Sequence, residues 1–92
     1  SIQFMCLVQI SNTIELPENS AGLFLAHFHA HSQQWVIWCS EVSCEKLALV
    51  GCLVHIYEDS TRGVYVVPLC YSHAISFEKI DIGSVIPVPK DI

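Results

Sequence analysis

The apolar residues of this chain fall into short runs, and the first run stands at its beginning. Residues 2–10 (IQFMCLVQI) are apolar at nearly every position and are followed by the polar triplet SNT. A short apolar run that is rich in strand-favouring residues and lacks a helical period is typical of a buried strand. The pattern therefore predicts a first strand over residues 2–10.

The second apolar run follows the turn-forming residues 16–20 (LPENS). Asn19 or Ser20 can cap a helix that continues to about His31. An alternative strand over residues 23–31 would place three histidines on one face, namely His27, His29 and His31. The apolar residues between them would then not fall cleanly on the other face. We therefore expect a helix.

Two further apolar runs, residues 50–57 and 63–67, are separated by the polar segment EDSTR. A polar connection of this length closes a β-hairpin. Pro68 follows the second run, and because it has no N–H to donate to a ladder we expect it to end that strand. Beyond it the sequence predicts a short helix over residues 71–79 and an extended tail over residues 80–88.

Four potential metal ligands flank the predicted hairpin. Cys39 and Cys44 precede it, and Cys70 and His73 follow it where the short helix would begin. Three thiolates and an imidazole form the closed tetrahedral set that structural zinc uses. Residues three apart in a first helical turn face the same way, and the positive end of the helix favours a thiolate. We therefore predict that these four residues bind zinc.

A loop with two ligands, then a hairpin, then a helix with two more ligands is the layout of a treble-clef zinc finger. The sequence thus predicts an α+β fold, a treble-clef-like zinc domain with an added N-terminal strand and helix. Its 92 residues would form one domain, with a zinc-binding core at about residues 35–82. The alternative is that the cysteines are ordinary core residues, since free cysteine is often buried.

Composition and charge narrow the classes of function. Hydrophobic residues make up 52% of the chain and charged residues 14%, and the formal net charge is −5. The four basic residues are scattered singly, which disfavours nucleic acid as a partner. Polar residues interrupt every candidate membrane span. Five cysteines are an odd number, which favours metal binding in a reducing compartment, so we expect a cytoplasmic protein.

Three stretches resemble a known group of proteins: residues 39–44 (CSEVSC), 50–54 (VGCLV) and 65–73 (YVVPLCYSH). They are similar to small bacterial proteins related to the HNH/treble-clef zinc fold. The resemblance implies the same four zinc ligands and raises the possibility of metal-dependent nuclease activity. However, Leu53 stands where the group has the histidine that activates water, and Ala74 stands where it has asparagine. His55 shares a strand face with Leu53 but lies about 7 Å further along, which would misplace a general base.

The first functional hypothesis is a non-catalytic zinc domain that binds another protein or itself. It rests on a surplus of aromatic residues, which are favoured at interface centres: Phe24, Phe28, Trp35, Trp38, Tyr57, Tyr65 and Tyr71. A self-pairing edge strand at residues 2–10 would make a homodimer. The alternatives are an HNH-type nuclease that uses His55, either active or degenerate, and an acidic inhibitor of a nucleic-acid enzyme.

Two further candidate sites are weaker. His27 and His31 have the spacing of a helical zinc pair, but Phe28 stands where such a catalytic motif needs glutamate. Cys52 adjoins the predicted zinc site and could be a spare ligand, although burial in the hairpin is the preferred interpretation. We therefore expect neither to bind metal.

Overall fold

A computed structural model describes residues 6–11, 20–57, 59, 61 and 63–92. The elements in chain order are β1 (Leu7–Ile10), α1 (Ser20–His31), β2 (Val50–Ile56), β3 (Tyr65–Leu69), α2 (Tyr71–Ala74), β4 (Ile80–Asp81) and β5 (Val88–Pro89). The strands form one antiparallel sheet in the order β4-β1-β2-β3-β5. The predicted α+β class is therefore confirmed, and so is the central β2/β3 hairpin.

Alternating residues of the hairpin divide the core between the two faces of the sheet. Leu53 and Val66 face α1 and pack with the fully buried Phe28. The opposite face carries Cys52 and Val67, which pack in a second apolar cluster that includes Cys39 and Cys70. Because strand side chains alternate between faces, the same hairpin supports both the helix and the cysteines.

The helix α1 lies unusually close to the sheet at Gly51. A Cβ atom at this position would lie 2.2 Å from the backbone nitrogen of Leu25 and 2.4 Å from the carbonyl carbon of Phe24. Only glycine leaves room for this approach. The helix expected from residue 20 to about His31 is thus confirmed, and the alternative strand over residues 23–31 is wrong.

Pro68 does not end the second strand of the hairpin, contrary to our expectation. It lies within β3 opposite Gly51, and the strand continues to Leu69. On the other side of β3, the strand β5 pairs only with Tyr65 and Val66. Pro68 therefore lies beyond the end of that ladder, where its missing N–H costs no hydrogen bond.

The predicted edge strand is not an edge along its described part. Leu7 and Val8 pair with β4, and the N–H of Ile82 donates to the carbonyl of Cys6. The other side of β1 pairs with β2. Residues 6–8 are therefore not open for self-pairing, and residues 2–5 lie outside the described residues.

The region after the hairpin contains less helix and more strand than expected. The helix α2 ends at Ala74 instead of reaching residue 79, and the extended tail contributes β4 and β5. Gly83 turns the chain between these strands with a positive φ of 56°. Within the described residues, no helix is long and apolar enough to cross a membrane.

Candidate metal centre

The first two candidate ligands, Cys39 and Cys44, lie in a loop whose ends are joined by hydrogen bonds. Trp38 and Leu47 form an isolated antiparallel bridge, in which the N–H of Cys39 donates to the carbonyl of Lys46 over 2.8 Å. Inside the loop, the N–H of Cys44 donates to the carbonyl of Glu41 over 3.0 Å. These bonds turn the chain back on itself and bring the Cys39 and Cys44 side chains to one side.

The loop is also tied to the sheet, next to the other two ligands. Ser40 donates from both its N–H and its hydroxyl to the carbonyl of Pro68, at 3.0 and 2.6 Å. Cys70 follows β3 as the N-cap residue of α2, and His73 lies in that helix. The hairpin strand β3 thus positions the second ligand pair directly beside the loop.

The four side chains converge, as the sequence predicts. The potential ligand atoms of Cys39, Cys44, Cys70 and His73 all lie within 4.8 Å of one another. The Sγ atoms of Cys44 and Cys70 are 3.8 Å apart, and Nδ1 of His73 lies 3.5 Å from Sγ of Cys39 and 3.2 Å from Sγ of Cys70.

These distances can be compared with the edges of a zinc tetrahedron. Zinc–sulfur bonds of about 2.3 Å and zinc–nitrogen bonds of about 2.0 Å give edges of about 3.8 Å between sulfurs and about 3.5 Å between sulfur and nitrogen. The Cys44–Cys70 and Cys39–His73 separations match these values, and the Cys70–His73 separation is slightly shorter. The donor set and its spacing therefore fit a single tetrahedral metal ion.

Glu41 is a functional candidate that the sequence analysis did not identify. Its Oε2 lies 3.9 Å from Nε2 of His73, the ring nitrogen that is not in the cluster, and it also accepts a hydrogen bond from Ser43. A carboxylate that accepts a hydrogen bond from the second nitrogen of a metal-binding histidine fixes the ring orientation and tautomer, and Glu41 is the carboxylate placed nearest to that role. The only sequence clue was an acidic residue between two ligands of one short loop.

The thiols of the cluster differ in acidity. Burial raises the pKa of Cys39 to about 11, against the opposing effect of hydrogen bonds from the backbone of Cys70 and Glu41. Burial also opposes ionisation of Cys70, but hydrogen bonds from His73, Cys39 and Cys44 outweigh it and lower the pKa to about 7. Cys70 is therefore converted more easily than Cys39 to the thiolate that a metal requires.

Cys52 lies near this cluster without belonging to it. It is 7% exposed in the core beneath the cluster, and the group of potential metal ligands found among the described residues does not include it. Burial and the neighbouring Cys39 and Cys70 raise its pKa to about 12. The preferred interpretation, a buried thiol in the hairpin, is confirmed.

The histidines outside the cluster do not converge with it. His55 shares the α1 face of β2 with Leu53, as predicted, and its Nδ1 donates to the carbonyl of Gly63 over 3.2 Å at the far end of the hairpin. The rings of His27 and His31 lie 4.7 Å apart, and Nε2 of His27 donates to the carbonyl of Pro89 over 2.9 Å. In the described part of the chain, no third potential ligand joins this pair.

Comparisons with protein-family models, with curated proteins and with solved structures find no match for this chain. The resemblance to HNH-related treble-clef proteins therefore stays a prediction. The case for a metal centre rests on the geometry of the four side chains.

Proposed function

We propose that this chain is a small non-catalytic domain, stabilised by one zinc ion in a treble-clef-like arrangement, that binds another protein. The observation that carries the proposal is the convergence of Cys39, Cys44, Cys70 and His73. Three sulfurs and one imidazole leave no open coordination position, which is characteristic of structural rather than catalytic zinc. When bound, zinc would link the loop to the end of the hairpin and to α2.

A short chain benefits strongly from such a link. Structural zinc contributes on the order of 10 kcal/mol to folding, whereas a core of this size alone gives marginal stability. The described core consists of two separate clusters on opposite faces of a small sheet. A zinc ion would connect Cys39 and Cys44, which come from a loop without regular secondary structure, to the cluster beside Cys70.

Protein binding is proposed because large apolar side chains remain exposed. The exposed aromatic residues are Trp35 and Trp38 before the metal loop, Tyr57 after β2, and Tyr71 and Phe77 in and after α2. Apolar surface of this kind marks interaction sites, and aromatic residues are the most frequent energetic centres of interfaces. A homodimer is one form that this interaction can take.

We do not propose a nuclease, because no observation favours one. His55 faces α1, whereas the metal cluster lies on the opposite face of the sheet. Its ring is bonded to Gly63 at the hairpin end, away from the Cys70 end.

Chelation of the purified protein tests the proposed zinc stabilisation. We expect excess chelator to abolish the cooperative thermal unfolding transition measured by circular dichroism, and added zinc to restore it. The matched control is Cys52→Ala, which removes a neighbouring buried thiol and should leave the chelator response unchanged. A wild-type protein that melts identically with and without chelator contradicts the proposal. Cleavage of plasmid or RNA with Mg, Mn, Ni or Zn, abolished by His55→Ala, would instead identify a nuclease.

A further inference from the structure

An open groove of about 860 Å³ lies beside the metal centre. The segment of residues 34–38 lines it together with the metal loop and residues 82, 84 and 85. Gln34 joins this segment to residues 84–86. Its Nε2 donates to the carbonyl of Ser84, and its Oε1 accepts from the N–H of Ile86. The groove is therefore part of the same structure that the metal loop supports.

The groove is lined by apolar side chains that the described chain leaves uncovered. Trp35 is 77% exposed, Trp38 is 58% exposed and Val42 is 59% exposed. Among the described residues, the ring neighbour of Trp35 is the imidazole of His29, at 4.8 Å between centroids. Exposed indole faces attract apolar groups and also cations, because the ring faces carry negative electrostatic potential.

The charged side chains that line the groove, among the residues that the structure describes, are those of Glu41 and Glu45. No described lysine or arginine lines the groove. The nearest basic residue in sequence, Lys46, directs its ammonium group elsewhere and donates to the hydroxyl of Ser72 over 3.2 Å. Two carboxylates beside two exposed indoles are complementary to a positively charged, partly apolar partner.

The backbone along the groove can also form hydrogen bonds. Trp38 and Leu47 form the non-hydrogen-bonded pair of their bridge, so the N–H and carbonyl of Trp38 point away from Leu47. Among the described residues, the N–H groups of Val36 and Trp38 have no hydrogen-bond partner. An added peptide strand pairs with unpaired backbone groups on alternate residues, and here the second of these residues already lies in a β-bridge.

We propose that this groove binds an extended peptide segment of a protein partner in which apolar side chains alternate with arginine or lysine. The inference rests on the proposed function and adds the chemistry of the partner. The peptide backbone would pair along Val36 and Trp38, its apolar side chains would contact the indoles, and its cations would face Glu41 and Glu45. Such binding weakens as salt increases, because exposed charges are screened.

The test uses the zinc-loaded full chain and a fluorescein-labelled peptide of about eight residues in which valine and arginine alternate. A peptide with glutamate in place of arginine tests charge, and a peptide with N-methylated valines tests backbone pairing. Fluorescence anisotropy measures binding up to about 1 mM protein. We expect the arginine peptide to bind at least roughly tenfold more tightly than either of the other two peptides.

Matched variants locate the binding site. Trp35→Ala and Glu45→Gln should each weaken binding of the arginine peptide at least roughly threefold. The controls Ile75→Ala and Glu78→Gln remove an exposed apolar side chain and an exposed carboxylate outside the groove, and they should leave binding unchanged. Glu45→Gln changes an exposed side chain, so its effect does not depend on whether the tryptophan variant folds.

Three results would overturn the inference: equal binding of the arginine and glutamate peptides, equal losses in the groove and control variants, or no binding up to the highest concentration. Concentration-dependent self-association that Trp35→Ala abolishes would assign the groove to a second copy of the chain, also against the inference. Zinc content is measured on every sample. If the zinc-loaded protein fails these tests, only the inference about the peptide groove is contradicted. If the protein folds without zinc, the proposed function itself is contradicted.

Discussion

The close approach of α1 to the sheet makes Gly51 the position where the smallest substitution has the largest expected effect. In Gly51→Ala the new Cβ would lie 2.2 Å from the nitrogen and 2.8 Å from the Cα of Leu25. Both are backbone atoms, so no side-chain rotation relieves the contact. Because ordinary contact begins at 3.4 Å, the helix has to recede by about 1.2 Å at this point.

The free-energy cost of moving α1 depends on the core side chains that this helix covers. A gap of about 0.5–1 Å between two surfaces already removes a quarter to a half of the dispersion energy of each contact. The affected interface contains Phe28, Leu53 and Val66, which are 0–3% exposed. We expect a loss of about 3 kcal/mol, at the upper end of what overpacking usually costs. For a chain of this length that corresponds to a fall in Tm of roughly 12–24 °C.

The matched control is Gly22→Ala, the same substitution within α1. A Cβ at Gly22 would meet nothing within 4 Å, so only helix propensity changes. We expect a gain of about 0.5–1 kcal/mol. Thermal unfolding of the metal-saturated proteins, followed by circular dichroism, measures both effects. If Gly51→Ala melts within a few degrees of the wild type, α1 does not lie against β2 as described.

Three further predictions concern the metal centre and the core. Cys39→Ser and Cys70→Ser should each lose bound zinc by elemental analysis, whereas Cys52→Ala should keep it; equal retention in all three would argue against the assigned ligands. Phe28→Ala should lower the free energy of unfolding in urea by about 3–5 kcal/mol while zinc content stays constant, because the ring lies on the face of the sheet opposite the cluster. Zinc affinity should fall as pH falls, because protons compete for thiolates. With pKa values of about 11 for Cys39 and about 7 for Cys70, titration against a competing chelator should show at least roughly a tenfold loss per pH unit between pH 9 and 7, and a steeper loss below pH 7. A pH-independent affinity would refute thiolate coordination.

The cluster of four candidate ligands was predictable because its residues lie in two short stretches of the sequence. Cys39 and Cys44 are close in the chain, as are Cys70 and His73, and the hairpin between the two pairs has a clear alternation of apolar runs and a polar turn. Because β2 and β3 pair antiparallel, the end of β3 lies beside the start of β2. The two ligand pairs meet for that reason.

The elements that were predicted wrongly depend on contacts distant in sequence. Pro68 stays in β3 because β5 pairs only with Tyr65 and Val66, and no local pattern shows how far that ladder extends. The composition of residues 2–10 fits an edge strand and an interior strand equally well. The strand β4, which follows about seventy residues later in the chain, is what covers Leu7 and Val8 of β1.

The groove was not predicted for the same reason. The exposed residues Trp35 and Trp38 were expected to contribute to an interface, but their alignment with Glu41 and Glu45 depends on how the metal loop folds. The proximity of Glu41 to His73 also depends on that loop, since Oε2 of Glu41 lies 3.9 Å from Nε2 of His73.

The most direct test of the central claim is the metal stoichiometry of the wild-type protein, purified without added metal and measured by native mass spectrometry. The proposed function predicts one zinc ion per chain, held by the four side chains that the structure brings together, Cys39, Cys44, Cys70 and His73. Acid denaturation should release that ion and leave five free thiols. A folded protein that carries no metal, and gains none when zinc is added, would contradict the account.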